Sequence, residues 1–128
     1  MNSTASFPIA GDPAAMEFQR FDVYRVALEF QAMVPRLVPR RGYASLRDQL
    51  DRASASILLN IAEGCGRFSR SDKAQFYLIA RGSAMECAAA LDVLHSRGAL
   101  FPASHRHAQG LLVRVTQMLT KLVLRMQA

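Results

Sequence analysis

The sequence predicts an all-α protein, an antiparallel up-down-up-down four-helix bundle. Apolar residues recur every three or four positions in four successive segments, which is the helical period. Short stretches containing Gly or Pro separate these segments, and none alternates apolar and polar residues as a strand would. Short connections between helices favour antiparallel neighbours. With 128 residues, 51% of them hydrophobic, the chain can form one domain with a modest core.

The first segments divide into a tail and helix 1. Residues 1–16 contain Ser, Thr, Gly, Ala and two prolines without an apolar period, which indicates a flexible N-terminal tail before a bundle domain at 17–128. Helix 1 is predicted from about Glu17, with Val23, Phe30 and Val34 on its apolar side. Pro35 is expected to kink or stop the helix near its end.

Helix 2 is predicted to begin with Ser45 as its N-cap, because a serine side chain can accept a hydrogen bond from the first turn. Its apolar line continues at helical spacing to Ile61. We expect Gly64 and Gly66 to end it in the left-handed conformation, which glycine adopts without a Cβ penalty.

Polar residues lie beside the apolar line of helix 2 at the same spacing. We name them, with one acid of helix 3, the polar seam: Gln49, Arg52, Ser56, Asn60, Glu63 and Glu86. One interpretation is a solvated helix face, and the other is a partly buried structural seam. In the second, Arg52 pairs with Glu86, and Glu63 meets Arg67 or Asn60.

Helix 3 is expected to begin after Ser69 or Ser71 and to end near Arg97 and Gly98. Ser69 followed by Asp72 resembles a capping box. Gly82 lowers helix stability, so we expect a neighbouring helix to approach closely there. The predicted apolar stripe is Phe76, Ile79, Ala80, Ser83, Cys87, Ala90, Leu91 and Leu94.

Helix 4 is predicted to start at Ser104 as N-cap and to carry two apolar lines side by side. This wide face, together with four residues outside the other stripes, offers more apolar surface than one small bundle should bury. These residues are Leu58, Leu59, Tyr77 and Leu78. We therefore expect a homo-oligomer.

The charge is strongly positive, with 16 basic and ten acidic side chains and a net charge of +6. Such a surface favours nucleic acid or another polyanion as partner. In the predicted bundle two connections share one end, which we name the arginine end: Arg36, Arg40, Arg41, Arg47, Arg97 and Arg106, with His105 and His107 nearby. The opposite end, the second basic end, gathers Arg67, Arg70, Lys73, Lys121 and Arg125 beside more acids.

Catalytic and cofactor sites find little support. A di-metal bundle would need two Glu-x-x-His motifs on facing helices, and the chain has only Asp92 with His95. Cys65 and Cys87 form no metal-binding or redox motif, and no glycine-rich phosphate loop is present. We expect a non-catalytic protein without metal or cofactor. The absence of a long apolar run and of a signal peptide predicts a cytoplasmic protein.

Paired motifs in helices 2 and 3 carry a family resemblance. The runs from Leu46 to Ala53 and from Asn60 to Arg67, with Phe76-x-x-Ile-Ala-Arg-Gly-Ser-Ala-x-Glu86, resemble proteins encoded by intervening sequences in bacterial ribosomal RNA genes. This family includes the accessory variability determinant of diversity-generating retroelements. The resemblance covers roughly residues 18–126, and it implies a four-helix bundle that can assemble as a homopentamer.

For the retroelement member, the resemblance also implies a basic surface that binds nucleic acid and a reverse transcriptase. The leading hypothesis is therefore a basic accessory protein that binds RNA or DNA. The alternative is a structural oligomer or protein-protein adaptor whose charge serves solubility.

Overall fold

The computed structural model describes residues 11–128, which form four α-helices and one short 3-10 helix and contain no strand. This confirms the all-helical prediction. The 3-10 helix is Glu17–Arg20, and the α-helices are α1 (Asp22–Leu37), α2 (Ala44–Cys65), α3 (Arg70–Ser96) and α4 (Pro102–Gln127). Residues 1–10 of the predicted tail lie outside the described residues. None of the helices described is long and apolar enough to cross a membrane.

Each helix packs against two others. Helices α1 and α3 both contact α2 and α4, with the most extensive packing between α3 and its two neighbours. The core between them is formed by large apolar side chains, and the most deeply buried are Phe30, Leu50, Ile57, Ile61, Leu91, Leu94, Leu112 and Leu119. The four helices therefore enclose one continuous apolar core, as the amphipathic pattern predicts.

Helix α1 carries the apolar side that its sequence predicts, since Val23, Phe30 and Val34 are buried. It begins at Asp22 rather than near Glu17, because the 3-10 helix occupies the preceding turn. Pro35 lies inside α1 but in its last turn, and the helix ends at Leu37. The helix thus ends two residues after the proline, as predicted.

The predicted N-caps of α2 and α4 are wrong. Helix α2 already begins at Ala44, after Gly42 and Tyr43, which have φ angles of 76° and 55°. These two left-handed residues turn the chain into the helix before Ser45 is reached. Helix α4 begins at Pro102, whose fixed φ suits the first helical position, so Ser104 lies inside the first turn.

Helix α3 begins as predicted, because the Ser69 side chain accepts a hydrogen bond of 3.0 Å from the Asp72 backbone N–H. Of its predicted stripe, five residues are buried, namely Ala80, Cys87, Ala90, Leu91 and Leu94, and the prediction fails in the first half of the helix. Tyr77 is buried, whereas Ile79 is exposed and Phe76 is half-buried. The stripe consists mainly of small residues, namely Ala74, Tyr77, Ala80, Ala84, Cys87, Ala90, Leu91 and Leu94.

The close approach between helices occurs at Gly64, not at Gly82 as predicted. A Cβ added to Gly64 would lie 2.8 Å from Cε1 of Tyr77, whose ring is buried against it. Gly82 is exposed, and a Cβ there would meet no atom within 4 Å. Gly64 lies within α2, and Gly66 caps it with a φ of −80°, so neither glycine adopts the expected left-handed conformation.

We expect opposite effects from adding a methyl group at these two glycines. Gly64→Ala should lower the free energy of unfolding by about 1–2 kcal/mol, because the buried Tyr77 ring must move to accept the methyl group. Gly82→Ala should raise it by about 0.5–1 kcal/mol, because alanine favours the helix and meets no neighbour. Urea denaturation measures both, and equal stabilisation by the two changes would contradict the close contact at Gly64.

Candidate nucleic-acid interface

The residues that the sequence assigns to the arginine end lie in two short connections and in the helix turns beside them. Val38 in the α1/α2 connection and Leu100 in the α3/α4 connection are both buried in the core. Gln49 near the start of α2 contacts Glu86 of α3, and His105 near the start of α4 contacts Asp92 of α3. These contacts place the starts of α2 and α4 beside the later part of α3.

Arg47 differs from the other members of the arginine end. Its Nη2 donates hydrogen bonds to the backbone carbonyls of Pro39, Arg40 and Gly42, the last at 2.9 Å. This guanidinium therefore holds the α1/α2 connection together. Its bonding capacity is partly used within the chain, so a structural role accounts for this residue.

The remaining five arginines of this end share two properties. Each is exposed, and none of their side chains forms a hydrogen bond or ion pair with another described residue. They are Arg36, Arg40, Arg41, Arg97 and Arg106. A guanidinium without an intramolecular acceptor keeps its donors available for a phosphate group.

Three cations of the second basic end form contacts within the chain. Arg67 donates to Glu63 at 2.6 Å and lies over the Phe76 ring, 4.6 Å from its centroid. Lys73 donates to the backbone carbonyl of Cys65 at 2.7 Å, which partly neutralises the end of α2. Arg70 reaches the Ala128 carbonyl at 3.4 Å.

The last two cations of the second basic end share a cavity with acids. Lys121 and Arg125 line a cavity of about 460 Å³ together with Glu17 and Asp22. The negative charge of these two carboxylates lowers the positive potential around the cavity. Five of the six arginines at the arginine end thus lack an intramolecular partner in the described chain, against two of the five cations at the second basic end, Lys121 and Arg125.

Two histidines and an aspartate lie together where α3 meets α4. The His95 and His105 rings stack with centroids 4.4 Å apart and an angle of 2° between their planes. Nε2 of His105 lies 2.9 Å from Oδ1 of Asp92. Among the described residues, no three His, Cys, Asp or Glu side chains are grouped as a metal site requires. The spacing of Asp92 and His95 along α3 does not predict the ring stack, because His105 belongs to α4.

The two cysteines are free thiols. Burial raises the pKa of Cys65, and the neighbouring Glu17 carboxylate raises it further against an opposing effect of Lys73. Burial, with a smaller contribution from Glu86, raises the pKa of Cys87 to about 12. Both side chains are therefore protonated at neutral pH and lack the thiolate character of a reactive cysteine.

The polar seam is divided between a hydrogen-bonded core and exposed charges. Asn60 Nδ2 donates to the carbonyl and hydroxyl oxygens of Ser56 at 2.8 and 3.0 Å, and the Ser56 hydroxyl meets that of Ser83 at 2.9 Å. Gln49 donates to Glu86 at 3.1 Å. The expected pair of Arg52 with Glu86 is wrong, since Arg52 is exposed and forms no ion pair in the described chain.

Comparisons with known proteins agree with this architecture. The model of the family described as 23S rRNA-intervening sequence protein matches residues 19–121. The fold is similar to the crystal structure of a protein with unknown function from the S23 ribosomal protein family of Bacteroides thetaiotaomicron VPI-5482. The TM-score is 0.74, with 21% identity over 79% of this chain and 97% of that chain, so this similarity concerns the fold. No curated protein matches the chain.

The two parts of the polar seam should differ in their contribution to stability. Asn60→Ala should lower the free energy of unfolding by about 0.5–1.5 kcal/mol, because it removes two half-buried hydrogen bonds to Ser56. Arg52→Ala and Glu86→Ala should each change it by less than about 0.5 kcal/mol, because both residues are exposed. Chemical denaturation distinguishes the two groups, and a larger loss at Arg52 than at Asn60 would contradict this division.

Proposed function

Because the chain belongs to the 23S rRNA-intervening sequence protein family, we propose that it is a non-catalytic, homo-oligomeric helical bundle that binds nucleic acid through its arginine end. The observation that carries this proposal is the group of five exposed arginines without an intramolecular partner. A reverse transcriptase is a further proposed partner, and it rests on the sequence resemblance alone.

An antiparallel arrangement of the helices is part of the proposal, because it brings the α1/α2 and α3/α4 connections to one end. Contacts along the helix pairs support it. From Gln49 to Ser56 on α2, the partner on α3 changes from Glu86 to Ser83. From His105 to Thr120 on α4, the partner on α3 changes from Asp92 to Arg81. In each pair, residue numbers rise on one helix as they fall on the other.

The chemistry of the arginine end suits a phosphate backbone. Planar guanidinium groups can donate two parallel hydrogen bonds to phosphate oxygens, and each contact releases counterions from the nucleic acid. Such contacts carry no sequence information, so binding through them alone is expected to be unspecific and steeply dependent on salt. Asp48 and Asp51, acids in the first turns of α2, are exposed and form no ion pair with the arginines of the arginine end.

Self-association is supported by apolar side chains that the bundle leaves exposed. The predicted apolar surplus is partly wrong, since both apolar lines of α4 face the core, and Leu58 and Tyr77 are buried. Leu59 and Leu78 are exposed, as predicted. The exposed apolar face runs instead along α3, through Leu78, Gly82, Met85, Ala89 and Val93, and we name it the α3 face. Its small residues would let a helix of a second copy approach closely.

A structural oligomer or protein-protein adaptor without nucleic-acid binding is the second candidate. The α3 face favours it, because an apolar helix face is suited to protein contacts and does not require nucleic acid. The two candidates differ at the arginine end. Salt-sensitive binding of RNA or DNA there supports the first, and no binding even at low salt supports the second.

Replacing arginines should change the salt dependence of binding. We expect Arg40→Gln, Arg41→Gln and Arg106→Gln together to weaken binding of a short labelled duplex. The slope of log K against log[salt] should become shallower by up to about 3, since each lost phosphate contact removes about 0.9. Fluorescence anisotropy at several salt concentrations measures both effects.

The matched control is the triple change Arg67→Gln, Arg70→Gln and Lys73→Gln at the second basic end. It removes the same charge but affects cations already engaged within the chain. Circular dichroism melting should verify that both triple variants remain folded. Greater loss of binding in the control variant would place the interface at the opposite end of the bundle.

Charges introduced on the α3 face should disrupt the oligomer. We expect Leu78→Glu with Met85→Glu to convert an oligomer to a monomer without unfolding it, because both side chains are exposed in the single chain. Light scattering at micromolar concentration measures the molar mass. Phe68→Glu is the control, since Phe68 is fully exposed in the α2/α3 connection, away from this face. A wild-type monomer would contradict self-association.

A further inference from the structure

Three aromatic rings lie at the corner where α3 turns into α4, and we name them the aromatic corner: His95, Phe101 and His105. The two histidine rings form the parallel stack described above, and the bond between His105 and Asp92 fixes the inner ring. His95 is exposed even though His105 covers one face of its ring. Phe101 is 80% exposed although it is a large apolar side chain.

The backbone holds Phe101 in place on both sides. Before it, Gly98 has a φ of 72°, the Ala99 N–H donates to the Leu94 carbonyl at 2.9 Å, and Leu100 is buried. After it, the Phe101 carbonyl accepts from the His105 N–H at 2.9 Å, in the first turn of α4. The ring is therefore held in solvent by a well-defined turn, and it contributes little to the packing of the core.

A cavity lies beside the two histidine rings, and exposed arginines lie close to them in the chain. The cavity, of about 470 Å³, is lined by His95, His105, Arg106 and Gln109 among other residues. This size is within the range of small-molecule pockets. Arg106 near the start of α4 and Arg97 in the α3/α4 connection are both exposed, and neither forms an ion pair in the described chain. The Asp92 carboxylate is the nearby negative group, and His105 occupies one of its oxygens.

Aromatic ring faces can stack on unpaired nucleobases, and arginines beside them can bind the phosphates of the same strand. Bases in single strands stack on Phe or His rings, whereas bases within a duplex are covered by their neighbours. We propose that the aromatic corner stacks unpaired bases while Arg97 and Arg106 bind the adjoining phosphates, so that single-stranded nucleic acid is the preferred ligand. This inference rests on the proposed nucleic-acid binding and adds base contacts to it.

The test compares a labelled single-stranded oligonucleotide with an abasic strand of the same length, which keeps the phosphates and lacks the bases. The wild-type protein should bind the complete strand at least about fivefold more tightly, since stacking on one aromatic side chain contributes about that factor or more. His95→Ala and Phe101→Ala should each remove most of this preference and leave binding of the abasic strand unchanged. His95→Phe, which retains a flat ring, should preserve the preference.

Phe68→Ala is the matched control, because Phe68 is a phenylalanine in the α2/α3 connection that is even more exposed than Phe101. It should alter neither affinity. Equal affinity of the wild-type protein for the complete and abasic strands, or an unchanged preference in both alanine variants, overturns base stacking and leaves phosphate binding intact. If the wild-type protein binds neither strand at low salt, the proposed function fails, and this inference fails with it.

Discussion

The close contact between α2 and α3 is the constraint on which the rest of the structure depends. Small residues allow it, since Gly64 accepts the Tyr77 ring and alanines fill much of the buried stripe of α3. Once the two helices lie so close, their relative register is fixed. The hydroxyl pair of Ser56 and Ser83 and the bond from Lys73 to the end of α2 follow from that register.

Sequence periodicity predicts the fold because burial acts on whole helix faces. The periodicity predicts the four helices and most of the core. On α3 it does not decide which of several neighbouring apolar residues is buried. Phe76, Ile79 and Tyr77 are all apolar enough for the core, so neighbouring helices decide which of them is buried. The same limit applies to the glycines. A helical glycine indicates either a close contact or an empty surface, and only the packing shows that Gly64 has the first and Gly82 the second.

The candidate interface was less predictable, because its chemistry depends on partners that spacing does not show. The sequence places comparable numbers of cations at both ends of the bundle. The structure distinguishes them by occupied donors, since Arg67, Arg70 and Lys73 of the second basic end bond to groups within the chain. At the arginine end, only Arg47 does so among the six arginines. The stack of His95 on His105 joins two helices, so no local motif could have revealed it.

The positions of the two proposed surfaces allow both to be occupied together. In the proposed antiparallel arrangement, the α3 face runs along the side of the bundle, and the connections that carry the arginine end lie at its tip. Packing of copies side by side through α3 would therefore leave the tips uncovered. Each added copy would then contribute its exposed arginines and its aromatic corner to a shared rim. Because phosphate contacts accumulate along a polyanion, such a rim would bind a long strand more tightly than one bundle does. Self-association and nucleic-acid binding would in this way reinforce each other.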